Sequence, residues 1–119
     1  SFSEYVSVSP DGRKLLFNAT GQKSGLWIRD LDSLEFHQLA GTENAVGPTW
    51  SPDGKFITFG NGSQLRKIDT GGGPAQTLVD VNGMPIGTSS WNQEGTILFG
   101  AGDEARLCAC RRLVASRRP

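Results

Sequence analysis

An all-β fold made of repeated four-stranded units is predicted by three observations in this 119-residue sequence. The segments Trp50-Ser51-Pro52-Asp53-Gly54 and Trp91-Asn92-Gln93-Glu94-Gly95 lie 41 residues apart, and a third copy, Ser9-Pro10-Asp11-Gly12, lies 42 residues before Ser51. Each copy precedes a short apolar run: Lys14-Leu15-Leu16-Phe17, Lys55-Phe56-Ile57-Thr58-Phe59 and Thr96-Ile97-Leu98-Phe99. The composition holds 16 glycines, 36% hydrophobic and 20% charged residues, as expected of many short strands joined by glycine-rich turns. A period of about 40–45 residues with strands between turns is what propeller blades produce. The predicted architecture is therefore a partial β-propeller, with two complete four-stranded blades and an incomplete third.

The strands follow from the punctuation. In the middle repeat they fall at 45–50, 55–60, 64–69 and 75–79; in the first, at 4–9, 14–19, 25–31 and 35–39. The third repeat gives 86–91 and 96–100, after which the pattern is lost. Pro52 presets φ for a turn, Asp53 can bond nearby amides and Gly54 accepts a positive φ. Pro10-Asp11-Gly12 repeats this chemistry, whereas Glu94-Gly95 keeps only the glycine and predicts a looser third turn. The blade boundaries are drawn at 1–42, 43–84 and 85–105, with a basic tail at 106–119. No helical stripe of useful length precedes residue 105.

The motif S-P-D-G, a basic residue, an apolar strand and then Leu26-Trp27-Ile28-Arg29-Asp30-Leu31 resembles the TolB-type propeller repeat. The resemblance covers residues 1 to about 105 and is most like the propeller regions linked to bacterial serine/threonine protein kinases. It implies that the first strand of each blade lines a central channel. It also implies an extracytoplasmic or periplasmic setting. One face then carries the S-P-D-G turns. The other carries the loops at 20–24 and 60–63 with the blade connections at 40–45 and 80–85. Binding loops sit on rigid strand scaffolds, so this second face supplies the candidate residues Gln22, Lys23, Glu43, Asn44, Asn61, Asn82 and Met84.

Charge narrows the partners. All 12 acidic residues precede residue 105, while Arg106, Arg111, Arg112, Arg117 and Arg118 follow it. The body carries seven basic residues against those 12, a formal −5, which argues against a nucleic-acid surface. No stretch approaches the roughly 20 apolar residues of a membrane span, and no signal peptide opens the chain. With no initiator methionine, the chain reads as a fragment of a longer protein. The tail departs from both earlier repeats. Read one base out of frame, its codons permit V-R-V-P-A-S-G-G-E-P-T-P, which matches the Arg66, Thr70, Gly71-Gly72 and Pro74 pattern of repeat two. A frameshift near residue 105 is the expectation.

No residue set carries catalysis, a cofactor or a metal. Cys108 and Cys110 form a C-x-C pair, but zinc needs four ligands and the one histidine, His37, is far away in sequence. His37 has no nucleophile to serve, and the G-x-S-x-G elbow is absent. Gly21-Gln22-Lys23-Ser24 lacks the upstream glycine and the helix of a phosphate loop. Asp30 and Asp32 read as a strand end and a turn, since Leu34 breaks a calcium-ligand series. Trp50 and Trp91 share a repeat position and read as packing between blades; Trp27 stays open between core, channel wall and exposed anchor. The expected function is a non-catalytic module that binds protein or a small ligand at a propeller face, in a larger bacterial signalling protein such as a kinase with a C-terminal propeller. The kinase motifs H-R-D and D-F-G are absent from these residues. Its alternatives are the gating propeller of a prolyl-oligopeptidase-type peptidase and a TolB-like envelope protein. The remaining blades of the parent propeller are expected partners in each case.

Overall fold

A computed structural model describes residues 6–19, 24–33, 35–101 and 104–109. Among the described residues eleven strands form three antiparallel meanders, and there is no helix. The first sheet runs β1 (Val6–Val8), β2 (Lys14–Ala19), β3 (Gly25–Asp30) and β4 (Phe36–Gln38) in consecutive order. The second runs β5 (Val46–Trp50), β6 (Phe56–Asn61), β7 (Gln64–Asp69) and β8 (Gln76–Asp80). The third holds β9 (Ile86–Trp91), β10 (Thr96–Ala101) and β11 (Glu104–Ala109). These are two four-stranded blades and a three-stranded one. The backbone pairing of β11 continues past residue 105, with Arg106 opposite Phe99 as Arg66 stands opposite Phe59. Cys108 therefore occupies a strand position opposite Ile97, while Cys110 and the rest of the tail lie outside the described residues.

The three turns explain why the motif recurs. In the first, the Ser9 hydroxyl donates to Asp11 Oδ1 (2.6 Å) and accepts from the Lys14 amide (3.0 Å). Asp11 Oδ1 also accepts the Arg13 amide at 3.0 Å, and the Gly12 amide reaches the Ser9 carbonyl. The second turn repeats each bond: Ser51 to Asp53 at 2.6 Å, and the Phe56 and Lys55 amides to Ser51 and Asp53 at 3.0 Å. Gly12 and Gly54 sit at φ 76° and 75°, a region that penalises any side chain. The third turn is not looser. The strand-closing bond spans Asn92 to Thr96, one residue less than Ser51 to Phe56. The missing position is that of Arg13 and Lys55, whose amides the aspartates hold. Asn92 Oδ1 alone accepts the Glu94 and Thr96 amides, so one side chain replaces the Ser-Asp pair.

Stacking of the sheets makes two cores. Leu16, Leu26, Ile28 and Leu39 of blade one meet Trp50, Ile57, Phe59 and Ile68 of blade two. Leu65, Leu78 and Val81 of blade two meet Ile86, Ile97, Phe99 and Ala101 of blade three. Blade two is thus covered on both faces, and the four central residues of β6 are all buried. Blades one and three are covered on one face each. Leu98 of β10 stays 47% exposed, whereas Thr58 at the same ladder position of β6 is fully buried. On the outer face of blade one, Phe17, Trp27 and Phe36 cluster with ring centroids 5.5–6.4 Å apart, and Phe36 is 55% exposed. That places Trp27 as part of an outer-face aromatic cluster.

Each junction carries a polar tie as well. Trp50 Nε1 donates to Ser7 Oγ of blade one at 3.1 Å, and Trp91 Nε1 donates to Thr58 Oγ1 of blade two at 2.9 Å. The two tryptophans are therefore inter-blade packing residues whose indole N–H groups are satisfied across the seam, as burial requires. Thr49 Oγ1 adds a bond to the Ser89 carbonyl between the inner strands (2.9 Å). Pro48, which has no amide to give a ladder, sits where β5 shifts register between Val46 and Thr49. At Gly60 a Cβ would lie 2.8 Å from the Ile86 carbonyl oxygen, so the close approach of blades two and three requires glycine there.

Two outcomes test this fold. Phe59→Ala empties a fully buried site between blades and is expected to cost about 3–5 kcal/mol in urea denaturation, while the Leu98→Ala change should stay within about 1 kcal/mol. Hydrogen bonds from Ser9 and Ser51, then from backbone amides, hold the Asp11 and Asp53 carboxyls below their ordinary value of 3.8. A depressed carboxyl contributes stability above the unfolded value and loses it as pH falls through the folded one. Thermal unfolding below about pH 4 should therefore drop steeply for the wild type and more shallowly for the Asp11→Asn/Asp53→Asn double variant, which should be the less stable of the two at pH 7.

Candidate functional site

The strand order fixes what shares a face. Antiparallel alternation puts the end of β2, the start of β3 and the β6–β7 turn beside the blade connections, on the side away from the S-P-D-G turns. Hydrogen bonds from Val81 to the Ser63 carbonyl and from Ile86 to the Gly62 carbonyl confirm that proximity in blade two. The two described edges of this face differ in construction.

Blade one's edge carries a cleft among its described residues. Its rigid element is Thr42, fully buried, whose hydroxyl accepts the Leu26 amide (2.8 Å) and donates to the Leu39 carbonyl (2.6 Å). The Gln38 amide nitrogen donates to the Ser24 carbonyl at 2.6 Å. These bonds bring the connection after β4 against the start of β3, where Gly25 has φ 135° and a Cβ would meet Gln38 at 2.7 Å. Around this latch lies a cleft of about 320 Å³ lined by Asn18, Ala19, Ser24, Gly25, Thr42, Glu43, Asn44 and Ala45. Glu43 and Asn44 are exposed at its rim. The cleft presents a carboxylate, amides and a backbone edge, and its wall is polar.

Blade two's edge is closed. A two-residue turn, with Gly62 at φ 62°, joins β6 to β7. Asp80 Oδ1 accepts the Ser63 hydroxyl (2.8 Å) and the Asn82 amide (2.9 Å), and Oδ2 accepts from Gln64. The Asn82 amide first, then the Ser63 hydroxyl and Gln64, hold the Asp80 carboxyl below the usual carboxylate value. Asn82 itself takes φ 48°, a left-handed position that asparagine tolerates better than most residues.

The candidate residues therefore separate. Glu43 and Asn44 come together with Asn18 and Ser24 at one cleft. Asn61 and Asn82 belong to the other edge, within or beside the hydrogen-bonded closure. Met84 packs, partly buried, against the core between blades two and three. Gln22 and Lys23 lie outside the described residues. Ser24 and Thr42 lie in the loops the sequence singled out, but neither they nor Asn18 were candidates themselves, because nothing in sequence distinguishes a latch threonine from any other loop threonine. Among the described residues no group of three or more His, Cys, Asp or Glu side chains converges as metal ligands would. His37 stands exposed in β4, opposite Ile28. Asp30 ends β3 and pairs with Lys14 at 2.8 Å, and Asp32 lies in the following turn.

No family model and no curated protein sequence matches the chain. Solved structures do. A TolB-designated protein from Agrobacterium tumefaciens superposes with a TM-score of 0.75 at 21% identity, over 88% of this chain and 45% of that one. TolB from Acinetobacter baumannii gives 0.71 at 19% identity, over 92% and 30%. A chain of a nidogen/laminin complex gives 0.77 at 10% identity, over 96% and 46%. The chain thus spans less than half the length of each of these proteins. At such identities the likeness speaks for fold, and the fold it establishes is a partial β-propeller of the architecture found in TolB and nidogen.

Proposed function

We propose that this chain is the propeller part of a binding protein without catalysis of its own, and that the cleft at the edge of blade one is its contact surface. One observation carries this reading. A polar cleft at blade one's edge is rimmed by the exposed Glu43 and Asn44 and ordered from beneath by the buried Thr42 hydroxyl. Rigid scaffolds carry their recognition groups on such loops. A protein or small ligand with donors for Glu43 suits the cleft, and the acidic body favours a basic partner over an acidic one. One of the similar structures was solved as a complex of two proteins, nidogen with laminin, which supports use of this fold in protein contacts.

The parent we favour is a bacterial signalling protein with a serine/threonine kinase domain before the propeller, in line with the Leu26-Trp27-Ile28-Arg29-Asp30-Leu31 phrase. The fold likeness to two TolB proteins supports an envelope protein as the second reading. Fold does not choose between them. Coding DNA on either side of this segment does. H-R-D and D-F-G motifs upstream bear out the kinase parent, a signal peptide without them favours the envelope protein, and an adjoining G-x-S-x-G elbow means a peptidase gate instead. For the surface itself, a photo-crosslinking residue at Glu43 or Asn44 should capture a partner in the source cells, while one at Asn82 should not. Equal capture at all three positions, or capture at Asn82 alone, removes blade one's edge as the contact site.

A further inference from the structure

On the opposite face, between the turns of blades two and three, lies a second cleft of about 290 Å³. Its walls are Pro52, Phe56 and Trp91, and its rim holds Asp53, Lys67, Asn92 and Gln93. At the corresponding junction of blades one and two the Pro10 ring stands near Gly54, its Cδ 3.7 Å from where a Cβ on that glycine would stand. Blade three's turn lacks the residue that Arg13 and Lys55 supply in the other two. The cleft opens beside that shortened turn, and Pro52, the counterpart of Pro10, lines it.

We propose that this cleft is a docking slot for an extended, proline-bearing segment of a partner protein. Four features of the slot select that chemistry. Its size is at the lower end of the range for small-molecule pockets, roughly 300–1,000 Å³, and suits one or two residues of a peptide. Its lining is mainly apolar, and Trp91 is anchored by the bond from its Nε1 to Thr58. Its two charges are of opposite sign, Asp53 and Lys67, and the Lys67 ammonium already sits 4.5 Å from the Phe56 ring centroid. A neutral ligand is therefore preferred to an anion or a cation. Finally, Asn92 Oδ1 is consumed by the turn, so the group it offers is its NH₂, a donor for peptide carbonyls. A polyproline II strand presents unpaired carbonyls and ring faces together, and aromatic-lined grooves recognise it that way.

The test uses the 119-residue chain and three kinds of ten-residue peptide: proline, glycine-serine, and charged (glutamate or lysine). Titration followed by the Trp91 indole N–H resonance should show a saturable shift with the proline peptide, at least about tenfold tighter than with glycine-serine. Insertion of a lysine between Gly95 and Thr96 restores the longer turn and should abolish the shift. Phe56→Ala, which removes one wall without touching the turn, should weaken binding by about tenfold and serves if the insertion variant does not fold. Absence of a saturable shift, equal binding of glycine-serine, preferential binding of a charged peptide, or undiminished binding by either folded variant overturns the proposal.

Discussion

A sheet has two faces, and a lone four-stranded sheet cannot bury either of them. The seam between adjacent blades is therefore the constraint on which everything else here depends. At each seam one blade offers a row of aliphatic residues and the next offers a tryptophan, an isoleucine and a phenylalanine: Trp50, Ile57 and Phe59 in blade two, Trp91, Ile97 and Phe99 in blade three. Burial of such side chains contributes on the order of 1.5–3 kcal/mol each relative to exposure. Each tryptophan also brings a polar group into the seam, and each is answered from the blade before, by Ser7 or by Thr58. Stability in such an arrangement is a sum over blades and nearest-neighbour seams, with blade two the best covered.

The seam also explains what the turns are for. In blade two the turn directly follows the seam residue Trp50, and in each blade it fixes the spacing of the first two strands. Two turns achieve this with a serine-aspartate pair bonded through Oδ1, and the third with one asparagine and one residue fewer. The scaffold survives the shorter version because the strand-closing bond is kept. What changes is the surface beside the turn, where Pro52, Phe56 and Trp91 line a cleft. Variation at the edges of a constant stack is how a repeat fold acquires different sites without altering its core.

Much of this was legible in the sequence. The 41- and 42-residue spacing located β2, β7 and β9 at their observed bounds, because apolar runs between Gly, Pro and Asp turns leave few alternatives. The role of Trp50 and Trp91 was legible for the same reason. The third turn misled, since the loss of Pro and Asp looks like loosening until Asn92 is seen to hold two amides. The end of the third repeat also misled: strand pairing depends on backbone, so β11 runs beside β10 although its side chains break the motif. At the candidate site the sequence singled out loops and could not tell which residues order them. That ordering rests on Thr42, Ser63 and Asp80, joined by bonds that span 16 and 17 residues of chain.

Native-state hydrogen exchange tests the central claim, that shared seams hold the blades and the doubly covered blade is the most stable part. The backbone amides of β6 are predicted to exchange slowest, through the global opening of the chain. Those of β2 and β10, each covered on one side, should exchange faster, and β4 faster again. Equal protection across the three blades, or greater protection in β2 than in β6, would contradict the account.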